Sequence, residues 1–422
     1  MSRRLNFIDL FAGAGGLSEG FIRAGFLPLA HVEMGRYACE TLRTRTAYHY
    51  LRRHRRASGM RLYRAYERGV IPREELLKSV PPECLDSVLC AEMSAETIGD
   101  IFSRIDGLMA SNDAGAVDLI IGGPPCQAYS MVGRAQTSHM TIPMEKDPRN
   151  TLYLMYMRFI NRYQPAMFVF ENVQGITTAR GGEVYKNLKS GLRRAGYEID
   201  CREQNAMNFN VLQSRARMII IGWRKGTKYH YPDFNRTTPD ALVQDLLSDL
   251  PPVARGETKN EYSVDYANAS AYVREHHIRE EGDILTHHTA RPNTERDVKI
   301  YRLAIEAWQS GRRLKYTELP PELQTHRNHT SFKDRFKVVE GDRNFCHTVV
   351  AHLSKDGHYF IHPDIRQCRS ITVREAARLQ SFPDNYYFEG PRTSQFVQIG
   401  NAVPPLMAER IAGNIKAQLE SR

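Results

Sequence analysis

Short apolar runs closed by turn-forming or polar residues punctuate the first half of the chain. Phe7 to Phe11, Val117 to Ile121, Met167 to Phe170 and Met218 to Trp223 are rich in β-branched and aromatic residues. Continuous runs of this kind predict strands buried on both faces. Pro28 to Val32 predicts another strand, ending at Glu33, and helix-like stretches such as Leu17 to Ala24 and Asn150 to Tyr163 lie between the runs. This alternation predicts an α/β fold with a mostly parallel sheet covered by helices, in which ligands bind beyond the carboxyl ends of the strands.

After Trp223 the alternation fades. Tyr231 to Pro363 reads as a second, smaller domain of charge-rich helical pieces. One hairpin is predicted there, with His347 to Leu353 and His358 to His362 flanking the turn Ser354-Lys355-Asp356-Gly357. Beyond Pro404, the residues Leu406, Ile411, Ile415 and Leu419 share one helical stripe, so a closing helix is expected to pack back on the sheet.

Composition narrows the class. The chain has 422 residues, 41% hydrophobic and 25% charged, which excludes a disulfide miniprotein and suits two or three globular domains. Its formal net charge of +10 favours a polyanionic partner, nucleic acid first. Most of the excess lies in Arg43 to Lys78, with eleven basic residues against three acids, interleaved with Tyr48, Leu51, Leu62, Tyr63 and Tyr66. A basic helical insertion along phosphates and a solvated helix pair both fit that stretch. The seven cysteines are odd in number and form no C-x-x-C pair, which argues against zinc and against a disulfide framework. There is no run of 18 apolar residues, and a carboxylate and a glycine run come too soon after Met1 for a signal peptide. The expectation is a cytoplasmic protein without a membrane.

The predicted strand ends carry the chemistry. Phe7 to Phe11 runs into Ala12-Gly13-Ala14-Gly15-Gly16 and then a helix, where glycines admit a ligand to the backbone and the helix start offers unpaired N–H groups. Glu33, at the next strand end, suits two ribose hydroxyls. Gly122-Gly123-Pro124-Pro125-Cys126-Gln127 comes directly after Val117 to Ile121. The two glycines permit a sharp exit and the two prolines stiffen the loop around Cys126, so the thiol reads as a nucleophile rather than a small buried apolar residue. Met167 to Phe170 delivers Glu171-Asn172-Val173 to the same edge, and a carboxyl leaving an apolar strand suits proton sharing. Arg215 and Arg217 precede Met218 at i, i+2 and point the same way, fit to steady a carboxylate, a base carbonyl or a phosphate.

Taken in order, these blocks resemble a DNA (cytosine-5) methyltransferase of the bacterial restriction–modification type. The resemblance rests on Phe7 to Gly13, Gly123-Pro124-Pro125-Cys126-Gln127, Glu171-Asn172-Val173 and Gln213 to Arg217, and continues with Thr372 to Pro383 and Gly400 to Pro405. It implies a Rossmann-like catalytic domain over residues 1–224, with the basic insertion at about 43–88. A mixed target-recognition domain would occupy 225–384, and a hinge and C-terminal helix over 385–422 would return to the catalytic domain.

The resemblance also implies that Cys126 attacks C6 of a cytosine rotated out of duplex DNA, while Glu171 hydrogen-bonds or protonates N3. Arg217 resembles the arginine at the base carbonyl, and Arg215 its neighbour near Cys126 and the backbone. C5 of the adduct would take the methyl group of S-adenosylmethionine, leaving S-adenosylhomocysteine. Phe11, Gly13, Gly15, Glu33, Met34, Asp100, Ile101, Pro125, Leu152 and Asn401 resemble the cofactor pocket, and no metal is implied. Base-edge contacts are expected between Trp223 and Arg369, from candidates such as Arg327, Asn328, His329, Lys333, Arg335, His347, His352 and His358. The chain departs from the family pattern at Gly35, Asn210, Leu212 and Ala216, and its second and third blocks are unusually far apart.

Double-stranded DNA is the implied partner. A restriction endonuclease acting on the same site without a stable complex would accompany it, and the family usually works as a monomer. A tRNA cytosine-5 methyltransferase on the same blocks and a non-catalytic DNA-binding relative are the alternatives. The second would be expected to lack Cys126 or Glu171, and both are present.

Overall fold

The computed structural model describes residues 4–124, 152–326 and 333–421. Its strands are β1 (Asn6–Leu10), β2 (Leu27–Glu33), β3 (Val88–Cys90), β4 (Leu119–Gly122), β5 (Met167–Asn172), β6 (Tyr197–Asn205) and β7 (Ala216–Arg224). They form one sheet in the order β3-β2-β1-β4-β5-β7-β6, parallel from β3 to β5, with β7 reversed between β5 and β6. The predicted apolar runs are β1, β2, β4, β5 and β7. β3 is too short to stand out at three residues, and β6 leaves much of its polar sequence exposed at the sheet edge.

The helices are α1 (Gly16–Arg23), α2 (Arg36–His54), α3 (Arg56–Glu67), α4 (Arg73–Lys78), α5 (Pro82–Asp86), α6 (Ile98–Ser111), α7 (Leu152–Tyr163), α8 (Glu183–Arg194), α9 (Ala271–Glu275), α10 (Glu295–Gln309), α11 (Val373–Leu379), α12 (Arg392–Asn401) and α13 (Pro405–Glu420). Strand side chains alternate between two buried layers. Phe7, Leu119, Ile121, Val169, Ile219 and Ile221 meet α1 and α13. Ile8, Leu10, Ile120, Phe168, Phe170 and Ile220 meet α6, α7 and α8. The stripe Leu406, Ile411, Ile415 and Leu419 faces inward as expected. There α13 crosses α1 so closely that a Cβ on Gly20 would lie 2.4 Å from that of Ala408.

Beyond β7, Val243, Leu246, Leu285, Val349, Leu353 and Phe360 join the layer of α1 and α13. A separate small core forms around α10, from Ile300, Tyr301, Ile305, Leu314, Phe336 and Ile361. The predicted hairpin is absent. Ala351–Ser354 curls into a short 3-10 helix, and Ile361 makes isolated bridges to Val338 and Ser370. The cause is tertiary: Ala351 seats on Gly400 of α12, where an added Cβ would approach the Ala351 nitrogen to 2.2 Å. Contact with a helix some fifty residues away outweighed the local Asp-Gly signal.

Arg43 to Lys78 folds as α2, α3 and α4 around Tyr48, Leu51, Tyr63, Tyr66 and Leu76. Part of its charge is neutralised internally. Arg45 is buried on Glu19 at 2.6 Å, Arg52 pairs with Glu280 at 2.8 Å and Arg73 with Glu389 at 3.2 Å. Among the described residues no helix is long and apolar enough to cross a membrane, and no group of three or more His, Cys, Asp or Glu is placed to hold a metal.

Candidate active site

Leu10 of β1, Gly122 of β4, Phe170 of β5 and Ile220 of β7 lie in register across the sheet. The residues just after the first three are therefore delivered to one edge: the glycine loop, Gly123-Pro124 and Glu171. Because β7 runs the other way, Arg217 reaches that edge by preceding Ile220. Adjacent strands are about 4.8 Å apart, so the loop after β1 and Glu171 stand two spacings, about 10 Å, from one another.

Glu171 Oε1 forms an ion pair with Arg217 Nε at 2.8 Å, with 15% and 14% of the two side chains exposed. The pair is thus enclosed yet open to a ligand. Arg217 Nη1 also donates back to its neighbour's carbonyl, Ala216 O, at 2.8 Å. Gly123 lies directly on Glu171, where a Cβ would come within 2.5 Å of the carbonyl oxygen and 2.6 Å of Oε2. Asn172, 1% exposed, donates from Nδ2 to Pro124 O at 3.1 Å and clamps the start of the loop beside Glu171. Pro125 and Cys126 lie outside the described residues. Gly123→Ala is expected to displace Glu171 and lower kcat about 100-fold, with some loss of thermal stability because the added Cβ also meets the Glu171 carbonyl. Native turnover in that variant would show that the close approach is not needed.

At the other end of the edge, Glu33 accepts from the Gly13 N–H at 2.8 Å and from the Gly35 N–H at 2.7 Å, one on each carboxylate oxygen. Each oxygen keeps a lone pair for a further donor. Burial pushes the Glu33 pKa up, and the backbone N–H groups oppose that rise. Phe11 and Gly15 hold left-handed backbone at φ +57° and +84° and so turn the loop. Gly15 also has no room for a side chain, since a Cβ would come within 2.9 Å of Tyr386 Oη. The Tyr386 hydroxyl donates to Ala14 O. Gly16 abuts Val403 O, which brings the end of α12, and with it Asn401, alongside the loop. Met34 is 64% exposed, an apolar surface open to a flat ring. Asp100 is exposed on the first turn of α6, Ile101 is buried beneath it, and Leu152 opens α7 half-buried.

A family model described as C-5 cytosine-specific DNA methylase matches residues 5–57 and 87–417. The chain belongs to this family. Among its relatives is the type II methyltransferase M.Bpa9945I of Bacillus paralicheniformis, 43% identical over 97% of this chain and 98% of that protein. Another is M1.HphI of Haemophilus parahaemolyticus, 30% identical over 97% of this chain and 86% of that one. A solved structure described as a DNA modification methyltransferase encoded within an E. coli prophage shares the fold, with a TM-score of 0.63 at 24% identity over 99% of both chains.

Several residues hold this DNA methylase together at the site, and two of them carried no local signal of that role. Arg215 is fully buried, donating to Val349 O at 2.6 Å and Gly400 O at 3.0 Å. Gln213 takes the Val349 N–H at 2.8 Å and donates to Leu379 O at 2.9 Å, while Gln380 donates to Ile399 O at 2.7 Å. The entrance of β7 is thereby tied to the segment near Val349 and to the end of α12. In the Thr372 to Pro383 block, buried Arg378 bonds Asp249 and Asp384. That block ties the segment beyond β7 to the main core. Tyr386 and Asn172 act on partners far away in sequence, Ala14 and Pro124, which no sequence period marks.

The base-edge candidates separate. Arg327, Asn328 and His329 lie outside the described residues, and Lys333 is exposed. Arg335 pairs with Asp356. His347 bonds Tyr359 O at 2.5 Å and stacks on Phe360, while His352 is partly buried. His358 bonds the Tyr301 hydroxyl at 2.8 Å, and burial pushes its pKa down to about 4. His347 and His358 therefore serve the local packing.

Proposed function

We propose that this enzyme methylates C5 of a cytosine turned out of double-stranded DNA, through a transient bond between Cys126 and C6. The observation that carries the reading is the Glu171–Arg217 pair held against Gly123-Pro124. Cys126 follows Pro124 by two residues in the sequence. C5 of cytosine is a poor nucleophile until C6 bears an adduct. The Cys126 thiolate adds to C6 while Glu171 supplies a proton or hydrogen bond at N3, which turns C4, C5 and N3 into an enamine. Arg217 holds Glu171 and offers its remaining N–H groups to the base carbonyl. Once C5 is substituted, loss of its proton restores the double bond and expels the thiolate. Because C6 is hidden in a stacked duplex, the base must leave the helix.

The residues on the opposite side of the edge fit S-adenosylmethionine. Glu33 retains two lone pairs for ribose hydroxyls, the loop through Phe11, Gly13 and Gly15 exposes backbone, and Met34 with Asp100 and Ile101 would flank adenine. Pro125, Leu152 and Asn401 would complete the pocket. When bound, the cofactor supplies the methyl group that C5 takes up. Glu33→Gln should weaken S-adenosylhomocysteine binding by about 10- to 100-fold, the worth of a charged hydrogen bond. Calorimetry checks this, and unchanged affinity would remove Glu33 from the ribose.

Residues 225–384 form the target-recognition part in this reading, and Arg215 acts as a positioning residue through Val349 and Gly400. The relatives' names, type II methyltransferases, support a methylase of a bacterial restriction–modification system; in this proposal it acts in the cytoplasm as a monomer, beside an endonuclease of the same site. Base-resolution sequencing of 5-methylcytosine in DNA and tRNA from cells expressing the chain tests the whole. Methylation at one DNA sequence is expected. Methylated tRNA with unmethylated DNA would overturn the substrate assignment.

A further inference from the structure

We propose that the tip of the α2–α3 pair is a second surface for DNA backbone, separate from the cleft that takes the target cytosine. The proposal rests on the DNA reading above. α2 begins just past the carboxyl end of β2, where the Cys39 thiol donates to Glu33 O at 3.3 Å. Further along, Arg43 donates to the carbonyl of Val88, the first residue of β3. The helix thus descends toward the amino ends of the strands. Its 19 residues span about 28 Å, against about 23 Å for the seven of β2. Arg53, near its end, lies close to Arg4, which precedes β1: burial and then the charge of Arg4 push the Arg53 pKa down. The tip is therefore at the opposite rim of the sheet from Glu33 and Glu171.

The charges at the tip differ from those behind it. Arg45, Arg52, Arg64 and Arg73 are engaged by Glu19, Glu280, the Glu281 carbonyl and Glu389. Arg53, Arg55, Arg56 and, beyond the bend, Arg61 are exposed and make no ion pair among the described residues. No acid interrupts residues 52–58. The bend is tightly built. Arg56 has φ +40°, and a Cβ on Gly59 would lie 2.7 Å from Leu51 O, so α3 crosses α2 at near contact. A compact row of free guanidiniums matches a polyanion with one charge per about 1.7 Å of axis. A duplex held at the target extends past it, so a second stretch of the same polymer is present at high local concentration. Residues 58–86 also fall outside the family match. Most of α3, with Arg61, therefore lies outside the matched family pattern, while α2 with Arg53, and Arg55 and Arg56 at the bend, lie within it.

The test uses the full chain with Arg53→Gln, Arg55→Gln, Arg56→Gln and Arg61→Gln together. Binding to a long non-cognate duplex is measured against salt, and kcat and KM are measured on a short duplex bearing the methylated site. The slope of log K against log salt should fall in magnitude by about 2–4 on the long duplex, with kcat and KM on the short one unchanged. An unchanged slope on the long duplex would overturn the proposal, leaving the arginines to solvent or to an acidic protein. A KM on the short duplex that rises along with the lost slope would overturn it too, since the arginines would then meet the target duplex itself. Should the fourfold variant melt early, Arg55→Gln with Arg56→Gln gives the same reading at about half the slope change. Binding needs no turnover. A native protein that methylates no DNA but shows the slope change would sink the functional reading and leave the surface standing.

Discussion

Replacing Cys126 by alanine is expected to abolish methyl transfer, by at least about 10⁴-fold, while leaving duplex binding intact. The size reflects the chemistry: without an adduct at C6 the ring offers no electron-rich C5. Binding should survive because phosphate and groove contacts do not involve the sulfur. A duplex carrying 5-fluorocytosine at the methylated position gives the complementary readout. Fluorine cannot leave C5 as a proton does, so the native protein should be trapped on the DNA as a band stable to denaturant, and Cys126→Ala should not. Residual turnover near the native rate, or trapping that persists in the variant, would move the nucleophile elsewhere.

Glu171→Gln should lower kcat by about 10²- to 10⁴-fold, the range for a positioned proton donor. Glutamine keeps an oxygen that Arg217 can approach, as it approaches Glu171 in the 2.8 Å ion pair, so its position should be largely kept while its proton is lost. The loss should therefore fall on kcat, with S-adenosylhomocysteine affinity unchanged, since Glu33 on β2 sits three strand spacings, about 14 Å, from Glu171 on β5. Covalent trapping by 5-fluorocytosine should slow in parallel, because N3 assistance is needed before the sulfur adds. If trapping kept its native rate while turnover collapsed, Glu171 would act after adduct formation, in the removal of the C5 proton.

The sheet edge that carries the candidate site was legible in the sequence because buried parallel strands are written as unbroken apolar runs, and the residues that interrupt those runs are the ones the sheet exposes. Glu33, Gly123 and Glu171 each stand at the end of such a run, and the register of Leu10, Gly122 and Phe170 brings two of those ends together. The chain beyond β7 was far less legible. Its segments pack through contacts such as Ala351 on Gly400 and His358 on Tyr301, so a hairpin signal was overridden and two histidines that could have met bases serve the interior.

The insertion divides along the same line. Its basic excess is a fact of composition, but only the fold tells which arginines are consumed by Glu19, Glu280 and Glu389 and which remain at the tip. By itself the sequence determined five of the seven strands, the residues at their ends and the family, because period, turn residues and reactive groups are local properties of a chain. Tertiary structure alone decided that Asn172 clamps Pro124, that Tyr386 braces Ala14 and that Arg215 binds carbonyls of Val349 and Gly400. Those bonds join residues 48 to 372 positions apart, and such a pairing exists only once the intervening chain has folded and its buried polar groups must find partners.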